Sequence, residues 1–443
     1  MVPYLPEVEE NGPGDRDGLQ VHENQAAEAY LSPTTELGDL YGRCRTLILE
    51  VVANTIQKKR CIELGEKDAQ PMVDFLAKLL EDADPLSQHD RKHVLHLLSK
   101  LAKSAQVFPQ CFELEGVQCD MTHPVTEGGF ANIYVTDLEG ERACIKAIRL
   151  HGGNNSGEMF RAQAGEIILW AHSIHQNILP FRGIYLSREK VPRVCMVSQW
   201  MVNGDLVQYL RNFPDTPRIP LLHDVISGLQ YLHKFDIVHA DLKAKNVLVS
   251  EAQRALLADF GISRVAMTVP TTTANFGVGT AHWMAPELFL EDTPTRTRES
   301  DIWAFGCVCY EVKKFLPLVK TCILHRLTEV LTGMMPFFQY GTVPQLILAF
   351  LKGGVIPLGP DQQSRRDEYS ERVWSLAKSC WNYNPQERPT SDGLKNPITD
   401  LKFPDNRLQD LQPQKAKKAD VIRIDYDSVL NSLQRIQQSP ITV

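Results

Sequence analysis

The sequence lacks three features: a C-x-x-C pair, a long apolar run and an excess of basic residues. Its 10 cysteines are spread thinly over 443 residues, which argues against a cysteine zinc site or a disulfide framework. No apolar run approaches the roughly 18 residues that a membrane span needs. The formal net charge is −7, so we expect neither nucleic acid nor an anionic membrane as the main partner.

The N-terminus also lacks an apolar signal core, since its first 18 residues are acidic. We therefore expect a cytoplasmic protein, with access to the nucleus left open. Hydrophobic residues make up 43% of the chain and charged residues 23%, which is ordinary for soluble globular proteins. At roughly 150 residues per domain, the length predicts two or three folding units.

The composition changes along the chain and predicts four regions. Residues 1–36 contain few aromatics, so we expect disorder. Residues 37–110 show three apolar stripes at helical spacing, with Pro71 at a first helical position and Ser87 with Asp90 as a cap pair. A small helical bundle is favoured there, and a partner-binding or dimerising module is the alternative. The stripes are Leu40, Cys44, Leu47, Ile48 and Val51; Met72, Phe75, Leu76, Leu79 and Leu80; and Val94, Leu95, Leu98, Leu101 and Ala102.

Residues 117–400 form the third region, which begins with strands and becomes mainly helical beyond 200. Two strands are predicted at 132–135 and 143–148, with turn residues at 137–140 between them. After 400 we expect a flexible tail, in which an amphipathic turn or two is formed by Val429, Leu430, Leu433 and Ile436.

Two weak signals lie near these strands. Gly128 and Gly129 occupy a turn where backbone N–H groups could approach a phosphate, although Gly-Gly turns are usually simple hairpins. Lys146 is the only charge inside an apolar strand, and a buried ammonium needs an anionic partner. Glu166, in a helix-like stretch, is the candidate, but a purely structural ion pair is equally compatible with the sequence.

The sharpest signal is the segment from His239 to Asn246, followed by Asp259. Phosphoryl transfer from ATP needs a carboxylate to accept a hydroxyl proton, cations to neutralise phosphates and oxygen ligands for Mg²⁺. Asp241 could supply the first and Lys243 the second, while Asn246 and Asp259 could bind the metal. The ordered spacing of these groups disfavours the alternative, in which they are merely helix-capping polar residues.

This arrangement resembles that of the eukaryotic protein kinases over roughly residues 117–400. Ala-Pro-Glu at 285–287, the helix start at 301–306 and Arg388, the expected partner of Glu287, extend the resemblance. The segments at 279–287 and 177–181 are similar to the tyrosine-kinase-like group. The Gly-Gly-Phe-Ala turn and the preceding helical region are similar to kinases expanded in mushroom-forming fungi. The resemblance implies an α+β fold of two lobes, the smaller with an antiparallel sheet and the larger mainly helical.

The resemblance also implies roles for the matching residues around ATP in the cleft. Lys146, oriented by Glu166, would hold the α- and β-phosphates, and Lys243 would contact the γ-phosphate. Asp241 would be the catalytic base. The remaining positions are the Mg²⁺ ligands Asn246 and Asp259, the phosphate-covering loop Gly128, Gly129, Phe130 and Ala131, the gatekeeper Ser198, and the hinge from Gln199 to Met201.

The resemblance implies an ATP-dependent protein kinase in signal transduction. Lys243 and Thr280 favour serine/threonine over tyrosine substrates, with dual specificity left open. A pseudokinase scaffold or allosteric switch is the main alternative, and a small-molecule kinase is a weaker one. Residues 37–108 are a candidate surface for a protein partner.

Three departures from the kinase pattern stand out. Thr126 and Ala131 replace two loop glycines. Ala240 replaces the arginine that anchors a phosphorylated activation loop, so we predict activity that does not depend on phosphorylation of the threonines at 268 and 271–273. Residues 312–329 are an apparent insertion, either genuine or a translated intron.

Overall fold

The computed structural model describes residues 33–127, 131–148, 156–187, 193–259, 280–291, 293–312, 335–357, 368–408 and 423–438. Disorder was predicted for residues 1–36. Residues 1–32 of this stretch lie outside these ranges, and the prediction is wrong for residues 33–36, which belong to the first helix. The activation-loop threonines and residues 313–329 of the apparent insertion also lie outside the described ranges. Within them, no helix is both long and apolar enough to cross a membrane.

Four helices form the N-terminal region, one more than the sequence predicted. They are α1 (Pro33–Ala53), α2 (Thr55–Ile62), α3 (Glu66–Leu79) and α4 (Gln88–Ala105). The predicted cap of α4 is confirmed, because Ser87 Oγ accepts a hydrogen bond of 3.1 Å from the Asp90 amide. The placement of Pro71 at a first helical position is wrong: α3 begins at Glu66, so this proline lies inside the helix.

The small lobe carries a five-stranded antiparallel sheet in the order β1-β2-β3-β5-β4. Its strands are β1 (Thr126–Glu127), β2 (Ala131–Leu138), β3 (Glu141–Ile148), β4 (Phe181–Leu186) and β5 (Val194–Gln199), and α5 (Ser156–Ala171) lies between β3 and β4 in the chain. The predicted hairpin between β2 and β3 is confirmed. It turns at Glu139 and Gly140, whose φ angles of 55° and 83° suit a two-residue turn.

The large lobe is mainly helical, and its two-stranded sheet carries the segment that the sequence singled out. Its helices and strands are α6 (Leu206–Asn212), α7 (Arg218–Lys234), β6 (Val247–Val249), β7 (Ala255–Leu257), α8 (Glu287–Leu290), α9 (Arg298–Val312), α10 (Val343–Lys352), α11 (Glu368–Cys380) and α12 (Ser391–Thr399). Helix α9 is buried along most of its length, so it forms the centre of this lobe. The expected two-lobed α+β fold is confirmed.

The last helix, α13 (Tyr426–Gln438), does not behave as the flexible tail that we predicted. Its apolar stripe, Val429, Leu430, Leu433 and Ile436, is buried. Tyr426 packs edge-on against the rings of Tyr41 and Phe75, with ring centroids about 6 Å apart. Helix α13 therefore completes a bundle with α1–α4, and the prediction is wrong for this stretch because its apolar partners lie hundreds of residues away.

The hydrophobic core is continuous between the bundle and the large lobe. Buried residues of α1–α4, α5, α7, α9 and α13 belong to one apolar cluster. A second, smaller cluster covers the other face of the small-lobe sheet and includes Tyr134, Ile145 and Val197. The bundle is thus packed onto the two lobes instead of being tethered beside them.

Candidate active site

The loop between α7 and β6 contains the predicted catalytic residues Asp241 and Lys243 and the predicted metal ligand Asn246. An acid from the central helix holds this loop in place. Asp301, 1% exposed at the start of α9, accepts hydrogen bonds from the amides of His239 at 2.7 Å and Ala240 at 2.9 Å. These bonds hold Ala240 in a left-handed conformation with φ of 69°, which a non-glycine residue adopts only under such constraint. The loop is therefore rigidly anchored just before Asp241.

The two carboxylate oxygens of Asp241 have different surroundings. Oδ2 accepts hydrogen bonds from Lys243 Nζ at 2.7 Å and from Asn246 Nδ2 at 2.8 Å. Oδ1 is buried and has no hydrogen-bond partner in the described part of the chain. The orientation of the carboxylate is thus fixed through one oxygen while the other is available to accept a proton from an incoming hydroxyl.

Lys146 and Asp259 meet between the two lobes. Lys146 Nζ, on β3, lies 2.5 Å from Asp259 Oδ1, just beyond β7. Burial raises the pKa of Asp259, but the charge and hydrogen bond of Lys146 outweigh this effect, so the pKa lies below its ordinary value. Asp259 is therefore ionised at neutral pH, in a left-handed backbone conformation with φ of 59°.

Glu166 lies on α5 and is 8% exposed. The structure confirms that this residue belongs to a helix and is buried. The contact that the structure gives for the Lys146 ammonium is with Asp259, so the pairing of Lys146 with Glu166 stays a prediction.

The chemistry of Asn246 and Asp259 suits Mg²⁺. The Asn246 amide nitrogen donates to the Asp241 carbonyl oxygen at 2.7 Å as well as to its carboxylate, which orients the amide group and leaves its oxygen as a ligand. Carboxylate and amide oxygens are hard ligands of the kind that Mg²⁺ prefers. No cluster of three or more His, Cys, Asp or Glu side chains able to hold a metal occurs in the described ranges.

The residues predicted to contact adenine lie at the end of β5. Ser198 is 5% exposed, and its Cα pairs in register with those of Cys144 and Phe181. Gln199 ends the strand, and Met201, 8% exposed, accepts a hydrogen bond of 3.0 Å from the Gly204 amide. A hydroxymethyl group at position 198 leaves more room behind this segment than a large side chain would.

The predicted phosphate-covering loop is only partly described. Ala131 begins β2, is 6% exposed and pairs with Ile148. Gly128, Gly129 and Phe130 lie outside the described residues.

One predicted contact of the large lobe is confirmed. Arg388 forms a bidentate ion pair with Glu287, with distances of 2.6 and 2.7 Å. The structure also shows a contact that was not predicted: Lys243 Nζ lies 3.1 Å from Thr280 Oγ1, beside Asp241.

Sequence reasoning missed the roles of Asp301 and Glu311, two acids on α9. Glu311 Oε2 accepts hydrogen bonds from the Ala244 amide at 2.9 Å and the Trp283 indole at 2.8 Å. Burial raises the pKa of Glu311 from 4.5 to about 7 despite these bonds. These roles could have been inferred from the position of both acids in a largely apolar helix, because a buried acid needs hydrogen-bond donors around it.

Comparisons with known proteins agree with this geometry. A family model described as "Protein kinase domain" matches residues 121–397. The chain is 28% identical to Serine/threonine-protein kinase STY46 of Arabidopsis thaliana, over 57% of this chain and 40% of that protein. It is 27% identical to Serine/threonine/tyrosine-protein kinase HT1 of the same plant, over 59% of this chain and 61% of that protein.

A tyrosine kinase also shows similarity. The chain is 27% identical to Tyrosine-protein kinase transforming protein Abl of Abelson murine leukemia virus, over 63% of this chain and 34% of that protein. The chain thus spans less than two thirds of the length of these curated relatives. The more specific resemblance to fungal kinases stays a prediction.

Proposed function

This chain belongs to the protein kinase domain family, and on that premise we propose that it transfers the γ-phosphate of ATP to serine and threonine hydroxyls of proteins. The observation that carries the proposal is the state of Asp241, whose Oδ2 is held by Lys243 and Asn246, while its buried Oδ1 has no hydrogen-bond partner among the described residues. A carboxylate held in this way suits a catalytic base.

In the proposed reaction, Asp241 Oδ1 accepts the proton of the substrate hydroxyl while the hydroxyl oxygen attacks the γ-phosphorus. The bond between the γ-phosphorus and the β–γ bridging oxygen breaks, and ADP leaves with that oxygen. Lys243, within 2.7 Å of Asp241, is placed to neutralise charge on the transferred phosphoryl group. Lys146 would bind the α- and β-phosphates and exchange part of its present contact with Asp259 for them, with Glu166 orienting it from α5.

Mg²⁺ is the proposed metal, and when bound it would neutralise charge on the phosphate oxygens. Asn246 and Asp259 would hold it through an amide and a carboxylate oxygen. The lowered pKa of Asp259 keeps that carboxylate ionised, as a metal ligand must be. The segment from Gln199 to Met201 would bind adenine through its backbone, with Ser198 behind it and Gly128, Gly129, Phe130 and Ala131 over the phosphates.

Specificity for serine and threonine is proposed from the contact between Lys243 and Thr280. Two of the relatives described above are named serine/threonine or serine/threonine/tyrosine kinases, while a third is named a tyrosine kinase. We further propose that the protein acts on protein substrates in cytoplasmic signalling and not on nucleic acid.

A pseudokinase that binds ATP without transfer is the second candidate. The intact set Lys146, Asp241, Asn246 and Asp259 disfavours it, because each group needed for transfer is present and the contacts between them are formed.

The test uses the purified full chain with Mg²⁺ and γ-labelled ATP on three peptide libraries, each with serine, threonine or tyrosine as the sole acceptor. We expect labelling of the serine and threonine libraries and little of the tyrosine library. Comparable labelling of all three libraries would overturn the proposed specificity for serine and threonine. ATP binding without labelling of any library or of the protein itself would favour the pseudokinase.

A further inference from the structure

Helix α5, which carries Glu166, packs more extensively against α4 of the N-terminal bundle than against any strand of the small-lobe sheet. Its position is thus set largely by an element outside the family match, which begins at residue 121. The proposed reaction needs Glu166 in one place, so the packing between α4 and α5 bears on catalysis.

A close contact between these helices lies next to Glu166. Ser99 Oγ, on α4, donates a hydrogen bond of 2.9 Å to the Gly165 carbonyl oxygen on α5. A Cβ atom at Gly165 would lie 3.1 Å from Ser99 Oγ and 3.5 Å from Ser99 O. A side chain at position 165 would therefore crowd Ser99, while the helical backbone of Gly165 itself needs no special conformation.

The same helix α4 also contacts the large lobe just before the catalytic loop. His96 Nε2 donates to the Phe235 carbonyl oxygen at 2.8 Å, and the Lys92 ammonium forms an ion pair with the Asp236 carboxylate. Phe235 and Asp236 directly follow α7, at the start of the loop that carries Asp241 five residues after Asp236. One rigid helix thus connects the element that bears Glu166 with the segment that leads to Asp241.

We propose that α4 is a built-in positioning element of the kinase, with Ser99 as the positioning residue that sets where α5 holds Glu166. The bundle then acts as an intramolecular activator that fixes α5 relative to the catalytic loop. This inference rests on the proposed function. Helix α13 supports α4 indirectly, since it closes the bundle and its Ile436 carbonyl oxygen accepts a bond of 3.2 Å from Arg60.

The test compares Gly165→Leu with Gly42→Leu in the full chain. Both changes replace a helical glycine by a better helix former, so neither weakens its own helix. Gly42 is an exposed residue of α1 at which an added Cβ atom meets nothing within 4 Å. At position 165, in contrast, a Cβ atom alone already lies 3.1 Å from Ser99 Oγ, so we expect leucine there to push α4 and α5 apart.

Two measurements are made: amide hydrogen exchange of residues 163–171, and the kinetics of peptide phosphorylation. For Gly165→Leu we expect exchange to rise and kcat/KM for ATP to fall, each about tenfold, as for a typical coupling between sites. The KM for the peptide should stay unchanged. A general loss of folded protein would also leave this KM unchanged, but it would not lower kcat/KM for ATP per folded molecule. Gly42→Leu should match the wild type in both measurements.

Ser99→Ala keeps the test decisive if Gly165→Leu does not fold. Removing one hydrogen bond should raise α5 exchange and lower kcat/KM for ATP by roughly two- to tenfold. Exchange and kinetics equal to wild type in the variants that fold would overturn the inference. A wild-type protein that phosphorylates nothing would instead contradict the proposed function, while the exchange data would still report whether α4 holds α5.

Discussion

At the scale of single residues, the site depends on side chains in which the two polar atoms of one carboxylate or amide group have different roles. Asp241 is held through Oδ2, while its buried Oδ1 has no hydrogen-bond partner among the described residues. Asn246 donates through its nitrogen, so its oxygen would be the atom that binds the proposed metal. Local sequence spacing predicted these residues because they lie within one short loop. It could not predict Asp301 and Glu311 as their supports, since both come from a helix more than 60 residues further along.

Ser198 predicts an accessible space behind the adenine site. Because a hydroxymethyl group is small, bulky adenine-site ligands should bind the wild type and raise its melting temperature. Ser198→Met should weaken their binding by roughly 5- to 150-fold, the range expected for overpacking, and leave ATP binding nearly unchanged. The measurement is thermal shift with titrated ligand. Equal affinities of the two proteins for the bulky ligand would show that Ser198 does not control access.

Glu311 predicts a pH-dependent stability. Its pKa is raised by burial from 4.5 to about 7, so the folded protein binds this proton more tightly than the unfolded chain does. The free energy of unfolding of the wild type should therefore fall, relative to Glu311→Gln, as the pH rises from about 4.5 to about 7. The expected change in this difference is on the order of 1–3 kcal/mol.

Urea unfolding of both proteins at several pH values measures this difference. Glutamine retains an oxygen that can accept from the Ala244 amide and the Trp283 indole, so the hydrogen bonds are matched. Other buried acids with a raised pKa, such as Asp74 and Asp224, are shared by both proteins and cancel. A difference that stays constant across this pH range would show that Glu311 does not titrate as the structure implies.

At the scale of helices and strands, the sequence predicted elements that are defined locally and missed associations between distant ones. The hairpin of β2 and β3 was predicted from alternation and turn residues, and the cap of α4 from Ser87. The partners of α13 were not predictable in this way. The Cys44 thiol, for example, bonds the Tyr426 carbonyl oxygen across 382 positions of sequence.

Helix α13 should contribute strongly to the stability of the bundle. Leu433, on α13, is fully buried in the bundle. Leu433→Ala should therefore lower the free energy of unfolding by about 2–5 kcal/mol. Asn431→Ala, at an exposed position of the same helix, is the control and should change it by less than about 0.5 kcal/mol. The measurement is urea unfolding followed by circular dichroism. Similar small effects of both changes would mean that α13 is not docked in solution.

At the scale of the whole molecule, the kinase domain packs against a helical bundle that is built from segments preceding and following the domain in the described chain. Helices α1–α4 precede the family match and α13 follows it, yet they share one core with α5, α7 and α9. This arrangement links the state of the bundle to the positions of Glu166 and Asp241. A protein partner that binds the bundle could act on the site through α4, which keeps residues 37–108 as a proposed partner surface.

The most direct measurement is the initial rate of phosphate transfer from γ-labelled ATP to a peptide by the wild type and by Asp241→Asn. Asparagine keeps the shape of the side chain and removes the base, so folding and ATP binding should be preserved. The rate should fall by about 10²- to 10⁴-fold, the usual contribution of a general base. Equal rates for the two proteins would contradict the assignment of Asp241 as the catalytic base.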